Sequence, residues 1–224
     1  MNKILVTGSS RGLGLCICEN LVKENIVFGL SRSSPRSEIL RNNTNFTHLK
    51  ADISVLSEVE KAFEKIEDLD VIVNCAGIFK TDQFHECSFE EISRIIDVNV
   101  KGMLYTTKFA LDKMTKNNCK VINISSVSGK YGIENQAIYS ATKHAVQGFS
   151  DALLKEVMPK GINVSTICPG GIQTSLWNNN NPYEGEYHKI LKPKDVSRVV
   201  EFIIDTDNSV VFKNIVMFPN NEIH

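Results

Sequence analysis

Short β-branched and aliphatic runs alternate with amphipathic stretches along the whole chain. Residues 4–7, 26–30, 46–49, 71–73, 120–124, 164–167 and 215–218 are brief and apolar, as buried strands are. Helical spacing fills the gaps between them. Leu13, Cys16, Leu21 and Val22 form one stripe; Val55, Val59, Ala62, Phe63 and Ile66 a second; Ile92, Ile95, Ile96, Val100 and Leu104 a third. A fourth helix runs from Tyr139 through Ala145, Val146, Phe149, Leu153 and Val157 until Pro159 and Gly161 stop it, and a fifth starts at Pro193 with Val196, Val199, Val200 and Ile203 on one side. Ser57 with Glu60 and Ser88 with Glu91 have capping-box spacing. Strands alternating with helices predict an α/β fold: a seven-stranded parallel sheet with helices on both faces. Residues 173–192 break the pattern, with little apolar periodicity and an Asn178-Asn179-Asn180-Asn181 run, and are expected to form a surface loop or short lid.

The 224 residues are 42% hydrophobic and 23% charged, enough for one domain, taken as 1–224, with a sizeable core. A net charge of −1 supplies no basic field for nucleic acid or an anionic membrane. No stretch approaches a membrane span, and the first apolar run meets Gly8 too soon for a signal-peptide core. Six cysteines without a CxxC pair are expected to be free thiols in a cytoplasmic protein, with no metal site. The expected partner is a small molecule or another protein.

Three constellations carry the chemistry. The first strand enters Thr7-Gly8-Ser9-Ser10-Arg11-Gly12-Leu13-Gly14 and then a helix. Glycines there let the backbone approach a pyrophosphate held by the helix N-terminus. The second strand ends Leu30-Ser31-Arg32-Ser33, without the carboxylate that a 2′-hydroxyl wants. With Arg11 and Arg32 nearby, a 2′-phosphate, and so NADP(H), is favoured. Tyr139 and Lys143 stand four residues apart on one helix face, where a cation near a phenol lowers its pKa.

These segments, in this order and spacing, identify the chain as resembling the short-chain dehydrogenase/reductase family. Residues 7–14 resemble its TGxxxGxG turn, Asp52 the acid after the third strand, Asn74-Cys75-Ala76-Gly77 its NNAG segment with Cys75 as the one departure, and Pro169-Gly170 with Thr174 its PGxxxT segment. The resemblance implies a Rossmann-type, doubly wound single domain, and a catalytic tetrad of Asn99, Ser126, Tyr139 and Lys143. Ser126 is selected over Ser125 because it lies thirteen residues before Tyr139. The implied cofactor contacts are Gly8, Ser10, Arg11, Gly12, Leu13, Gly14, Ser31, Arg32, Asp52, Ile53, Asn74, Ala76, Gly77, Tyr139, Lys143, Pro169, Gly170, Ile172 and Thr174. Tyr139 is expected to exchange a proton with the substrate oxygen, Lys143 to lower its pKa, Ser126 to hold that oxygen, and Asn99 to hold a water linking Lys143 to solvent.

The expected activity is NADPH-dependent reduction of a ketone or aldehyde. The alternatives are a non-catalytic NADP(H)-binding regulatory or scaffold protein, or an NAD-dependent alcohol dehydrogenase. Trp177, Tyr183 and Tyr187, with Phe79, Ser128, Tyr131 and Gln136, are candidates to cover the substrate. A homodimer or homotetramer is expected by resemblance, with Ala141, Ala145 and Gly148 permitting close helix approach.

Overall fold

The computed structural model describes residues 1–178, 181–183 and 185–220. Its strands are β1 (Lys3–Thr7), β2 (Ile26–Ser31), β3 (Phe46–Lys50), β4 (Val71–Asn74), β5 (Cys119–Ile124), β6 (Ile162–Pro169) and β7 (Asn214–Met217). They form one parallel sheet in the order β3-β2-β1-β4-β5-β6-β7. The helices are α1 (Gly12–Leu21), α2 (Glu38–Arg41), α3 (Leu56–Phe63), α4 (Phe89–Ile96), α5 (Met103–Lys113), α6 (Ala137–Val157) and α7 (Pro193–Asp205).

Side chains alternate across the strands and build two cores. Leu5, Leu30, Ile72 and Val121 face α3, α5 and α6 through Phe63, Ala110 and Leu153. Ile4, Val6, Val27, Val73 and Ile122 face α1 and α7 through Ile17, Leu21, Val196 and Val200. Helices thus cover both faces; β1, β4, β5 and β6 are buried as their continuous apolar runs require, whereas the edge strands β3 and β7 stay partly exposed. Strand order reverses at β1, between β2 and β4, so the crevice for a ligand opens beyond the carboxyl ends of β1 and β4.

Several helix details differ from the sequence expectation. In α1 the buried face is Leu13, Ile17, Cys18 and Leu21, and Cys16 is only half-buried. The Ser57–Glu60 capping box does not form: α3 begins at Leu56 after Val55, and no side chain caps it. Glu58 instead accepts the Asp52 N–H at 2.8 Å. Ser88 and Glu91 do form their reciprocal box at the start of α4.

The expected long third helix is interrupted. Residues Asp97–Gly102 form a π-helical turn between α4 and α5, whose wider turn rotates the buried face. Ile96 is left exposed, and Asn99, Gly102, Met103, Thr106 and Thr107 are buried in place of Val100 and Leu104. The fourth helix ends as expected: α6 passes through a short 3₁₀ turn containing Pro159, and Gly161 closes it in the left-handed region.

Candidate active site

The turn after β1 is shaped by glycines that no other residue could replace. Gly8 has φ +75°, and a Cβ there would lie 2.9 Å from Ala76 Cα; a Cβ on Gly14 would lie 2.3 Å from Gly8 O. Thr7 Oγ1 accepts the N–H groups of Cys75 and Ala76, both at 3.0 Å, and so ties this turn to the end of β4. The N-terminus of α1 has neither a capping side chain nor an acid in its first turn. Its N–H groups are therefore free to meet an anion from outside the chain.

This turn opens into a cavity of about 770 Å³. It is lined by Gly8, Ser10, Arg11, Gly12, Leu13 and Gly14 from the turn, by Ser31, Arg32, Asp52 and Ile53 beyond β2 and β3, and by Ala76 and Gly77 after β4. Ser126, Tyr139 and Lys143 line it further along, with Pro169, Gly170, Ile172 and Thr174 after β6. An elongated anionic dinucleotide fits this series, from two guanidiniums at one end to the phenol at the other.

Two expected cofactor contacts stand differently. Asn74 is buried and does not line the cavity. Its amide donates to Thr107 Oγ1 and Asn123 Oδ1, both at 2.8 Å, and accepts from Thr106 Oγ1 at 2.8 Å. It is part of a satisfied core network that binds β4 to β5 and α5. Ser31 lines the cavity, but its hydroxyl is already engaged with Ser33 O at 2.9 Å, Ser9 Oγ at 3.0 Å and His48 Nε2 at 3.1 Å. Ser33 also lines this rim, with an exposed side chain, and is not among the expected cofactor contacts. Nor is the rim without an acid: the Asp52 carboxylate, arriving from β3, lies 3.8 Å from Arg32. Burial pushes Asp52 up, but the Ser54 hydroxyl and N–H, with Arg32 and Arg94, outweigh it and hold the carboxyl below its usual range.

At the catalytic end, α6 presents Tyr139 and Lys143 to the cavity, and the turn after β5 presents Ser126. Ser125 does a different job from its neighbour, donating to the Lys143 backbone carbonyl at 3.1 Å. Gly129 permits this close packing, since a Cβ there would meet Ser125 Oγ at 2.6 Å and Lys143 O at 2.7 Å. Nothing in the sequence pattern marked Gly129. Ser126 Oγ accepts the Ser128 N–H at 3.1 Å, and Ser128 Oγ donates to Gln136 Oε1 at 3.0 Å.

Asn99 sits in the π turn, outside the cavity lining. Its Oδ1 accepts the Ile78 N–H at 2.8 Å, and its Nδ2 donates to Ile78 O at 2.9 Å and Thr142 Oγ1 at 3.3 Å. All these bonds clamp the segment after β4 to α6. A Cβ on Gly77 would lie 3.4 Å from Asn99 Oδ1 and 3.9 Å from Lys143 Nζ, so Gly77 packs within reach of both heads.

Lys143 Nζ donates to Ile124 O at 2.9 Å and lies 5.5 Å from the centroid of the Tyr139 ring. Burial pulls its pKa down to about 8. Burial also pushes Tyr139 up to about 12, with the Ser126 hydroxyl drawing it partly back. In both groups burial is the largest cause, and at Tyr139 it outweighs any lowering of the phenol by the Lys143 ammonium.

Aromatic side chains continue outward from the phenol. Phe79 packs edge-on to Tyr139 with ring centres 4.8 Å apart, Trp177 to Phe79 at 4.9 Å, and Tyr183 to Trp177 at 4.9 Å. These three line the cavity, as do Ser128, Tyr131 and Gln136, whereas Tyr187 does not. The segment 173–192 is closed at its base by Gln173 N donating to Leu191 O at 2.8 Å. Of its asparagine run, Asn179 and Asn180 lie outside the described residues.

The family model for short chain dehydrogenases matches residues 2–185. An uncharacterized oxidoreductase of Staphylococcus saprophyticus is 30% identical over 227 residues, covering 96% of each chain. A 3-oxoacyl-[acyl-carrier-protein] reductase of Aquifex aeolicus is 35% identical over 184 residues, covering 77% of this chain and 74% of that one. Among solved structures, the closed form of a serine dehydrogenase complexed with NADP+ superposes with a TM-score of 0.88 at 26% identity, over 99% of this chain and 96% of that one. A glycine turn at the switch point of a seven-stranded parallel sheet, a Tyr–Lys pair with its serine, and a family match over most of the length agree: the chain belongs to the short-chain dehydrogenase/reductase family of oxidoreductases.

Proposed function

We propose that the protein is an NADPH-dependent reductase of a ketone or aldehyde. The observation that carries this reading is the meeting of Tyr139, Ser126 and Lys143 in the one cavity that also holds the uncapped N-terminus of α1. The glycine turn and α1 would hold the pyrophosphate, with Arg11, Arg32 and Ser33 around a 2′-phosphate. NADPH held there would supply hydride to the carbonyl carbon.

The chain supplies the proton and the positioning. With its pKa raised, the Tyr139 phenol stays protonated at neutral pH, the form that can give its proton to the carbonyl oxygen. The Ser126 hydroxyl, beside it, holds that oxygen within reach. Lys143, one of whose N–H bonds goes to Ile124 O, stabilises the phenolate left behind and is free to return a proton. Asn99 keeps Gly77 and Ile78 at a fixed distance from Lys143. Segment 173–192 covers the substrate end through Trp177 and Tyr183.

NADPH rather than NADH is supported by Arg11 and Arg32 at the cavity rim and by the NADP+ bound to the serine dehydrogenase of like fold. The Arg32–Asp52 contact keeps the NAD-dependent reading open to the same test. The exposed small residues Ala141, Ala145 and Gly148 on α6 support assembly of copies through that helix, and the free cysteines suit a reducing cytoplasm. Following absorbance loss at 340 nm with NADPH, then NADH, over a panel of ketones and aldehydes tests the reading. Turnover with NADPH at lower KM is expected. Tight NADPH binding with no oxidation across the panel would leave a non-catalytic binding protein.

A further inference from the structure

The charges around the cavity are divided unevenly between its two ends. Arg11 and Arg32 stand at the end away from Tyr139, and the Lys143 ammonium is turned to Ile124 O. On the substrate side, among the described lining residues, the only charged side chain is Glu134. The lysines nearest that side in sequence are committed elsewhere. Lys80 pairs with Asp82 at 2.6 Å and with Glu91. Lys130 bonds Gln147 and Asn214, at 3.0 and 2.8 Å, and Lys189 pairs with Glu186 at 2.7 Å. An anionic group entering here would lose its hydration, find no cation among the described lining residues of this end and face a carboxylate.

The walls offer aromatic contact in place of charge. Phe79 and Trp177 are half-buried, each edge-on to its neighbours in the series that starts at Tyr139. A planar group on the reacting carbonyl can continue that edge-to-face series. Gln136 accepts from Ser128 Oγ through Oε1, and its amide nitrogen has no partner among the described residues. It can serve a neutral acceptor on the substrate.

We infer that the substrate is an uncharged carbonyl compound bearing an aryl or conjugated group, held against Phe79 and Trp177, and that carboxylated and phosphorylated carbonyls are excluded. This rests on the reductase reading of the same site. Trp177 is the sole tryptophan, so its fluorescence reports occupancy of this wall without turnover. The probes are 4-methylacetophenone, 4-acetylbenzoate of like shape but anionic, and cyclohexyl methyl ketone, which is neutral and not planar. Each is titrated into the protein saturated with NADP+, and kcat/KM is measured with NADPH.

The neutral aryl ketone is expected to quench Trp177 with Kd at least about tenfold below those of the other two. Phe79→Leu is expected to raise its KM several-fold with kcat little changed, with NADP+ affinity as the control for folding. Equal or tighter binding of 4-acetylbenzoate overturns the inference, as does an unchanged KM in Phe79→Leu. If the neutral aryl ketone quenches selectively but nothing is reduced, the reductase reading fails and the pocket's selectivity stands.

Discussion

The ammonium of Lys143 lies 5.5 Å from the centre of the Tyr139 ring, yet its hydrogen bond goes to the Ile124 carbonyl at 2.9 Å. Without cofactor the two groups are displaced in opposite directions by the same cause, burial, which favours the neutral form of each.

Lys143 should therefore cost stability while it serves catalysis. With the folded pKa near 8 and the unfolded value at 10.5, a charged Lys143 destabilises the fold by about 3 kcal/mol. Lys143→Met removes that cost and leaves the Ile124 carbonyl without its donor, worth about 1 kcal/mol. A net gain of about 2 kcal/mol at pH 7 is expected from urea unfolding, with turnover lost. Between pH 8 and 10.5 the unfolded lysine binds the proton that the folded one has released, so wild-type stability rises with pH. The variant's advantage should be full below pH 8 and fade toward 10.5.

As the proposed proton donor, Tyr139 should set the pH dependence of the two reaction directions. Reduction needs the protonated phenol and alcohol oxidation the phenolate, whose fraction below the pKa grows about tenfold per pH unit. Initial rates of oxidation should therefore climb from pH 7 to 10, while reduction gains nothing over that range. Parallel profiles for both directions would separate Tyr139 from the proton transfer.

Arg32 should choose the cofactor. Its side chain is half exposed beside Asp52, and Arg32→Ala is expected to raise the NADPH KM about tenfold, the value of one charge-assisted contact. The NADH KM should hold or fall, because Asp52 is released to accept from a ribose hydroxyl. Kinetics with both cofactors measure this directly.

Lys120 carries stability without chemistry. Its buried ammonium donates to Ile203 O at 2.8 Å, Ile204 O at 2.7 Å and Thr206 O, closing the C-terminal end of α7 against β5. Lys120→Met leaves three carbonyls without that donor but also removes an ammonium whose pKa burial lowers, so a net loss of about 1 kcal/mol is expected in urea unfolding. NADPH affinity and kcat should not change.

The strands and the order of the site residues were legible because short β-branched runs admit one reading, and because Tyr139, Lys143 and Ser126 sit on elements whose ends the sheet aligns. Side-chain direction within the elements was not legible. Asn74 and Ser31 close their strands next to cofactor loops, yet one is turned into the amide network of Thr107 and Asn123 and the other toward Ser9 and His48. Both facts depend on which residue of a neighbouring strand or helix lies opposite, a matter of register. The π turn at Asp97–Gly102 was hidden for a similar reason: Val100 and Leu104 keep helical spacing in sequence while the wider turn carries them off the core face. Lys120 reads as one polar residue in an apolar strand until α7 is packed against it.

The most direct test of the account is Tyr139→Phe, measured as NADPH oxidation with a reducible ketone alongside NADPH affinity by fluorescence titration. The ring and its contact with Phe79 are kept, and only the phenolic hydroxyl is removed. Turnover lowered by a factor of at least about 10² with unchanged NADPH affinity is predicted. Reduction at an undiminished rate would contradict Tyr139 as the proton donor.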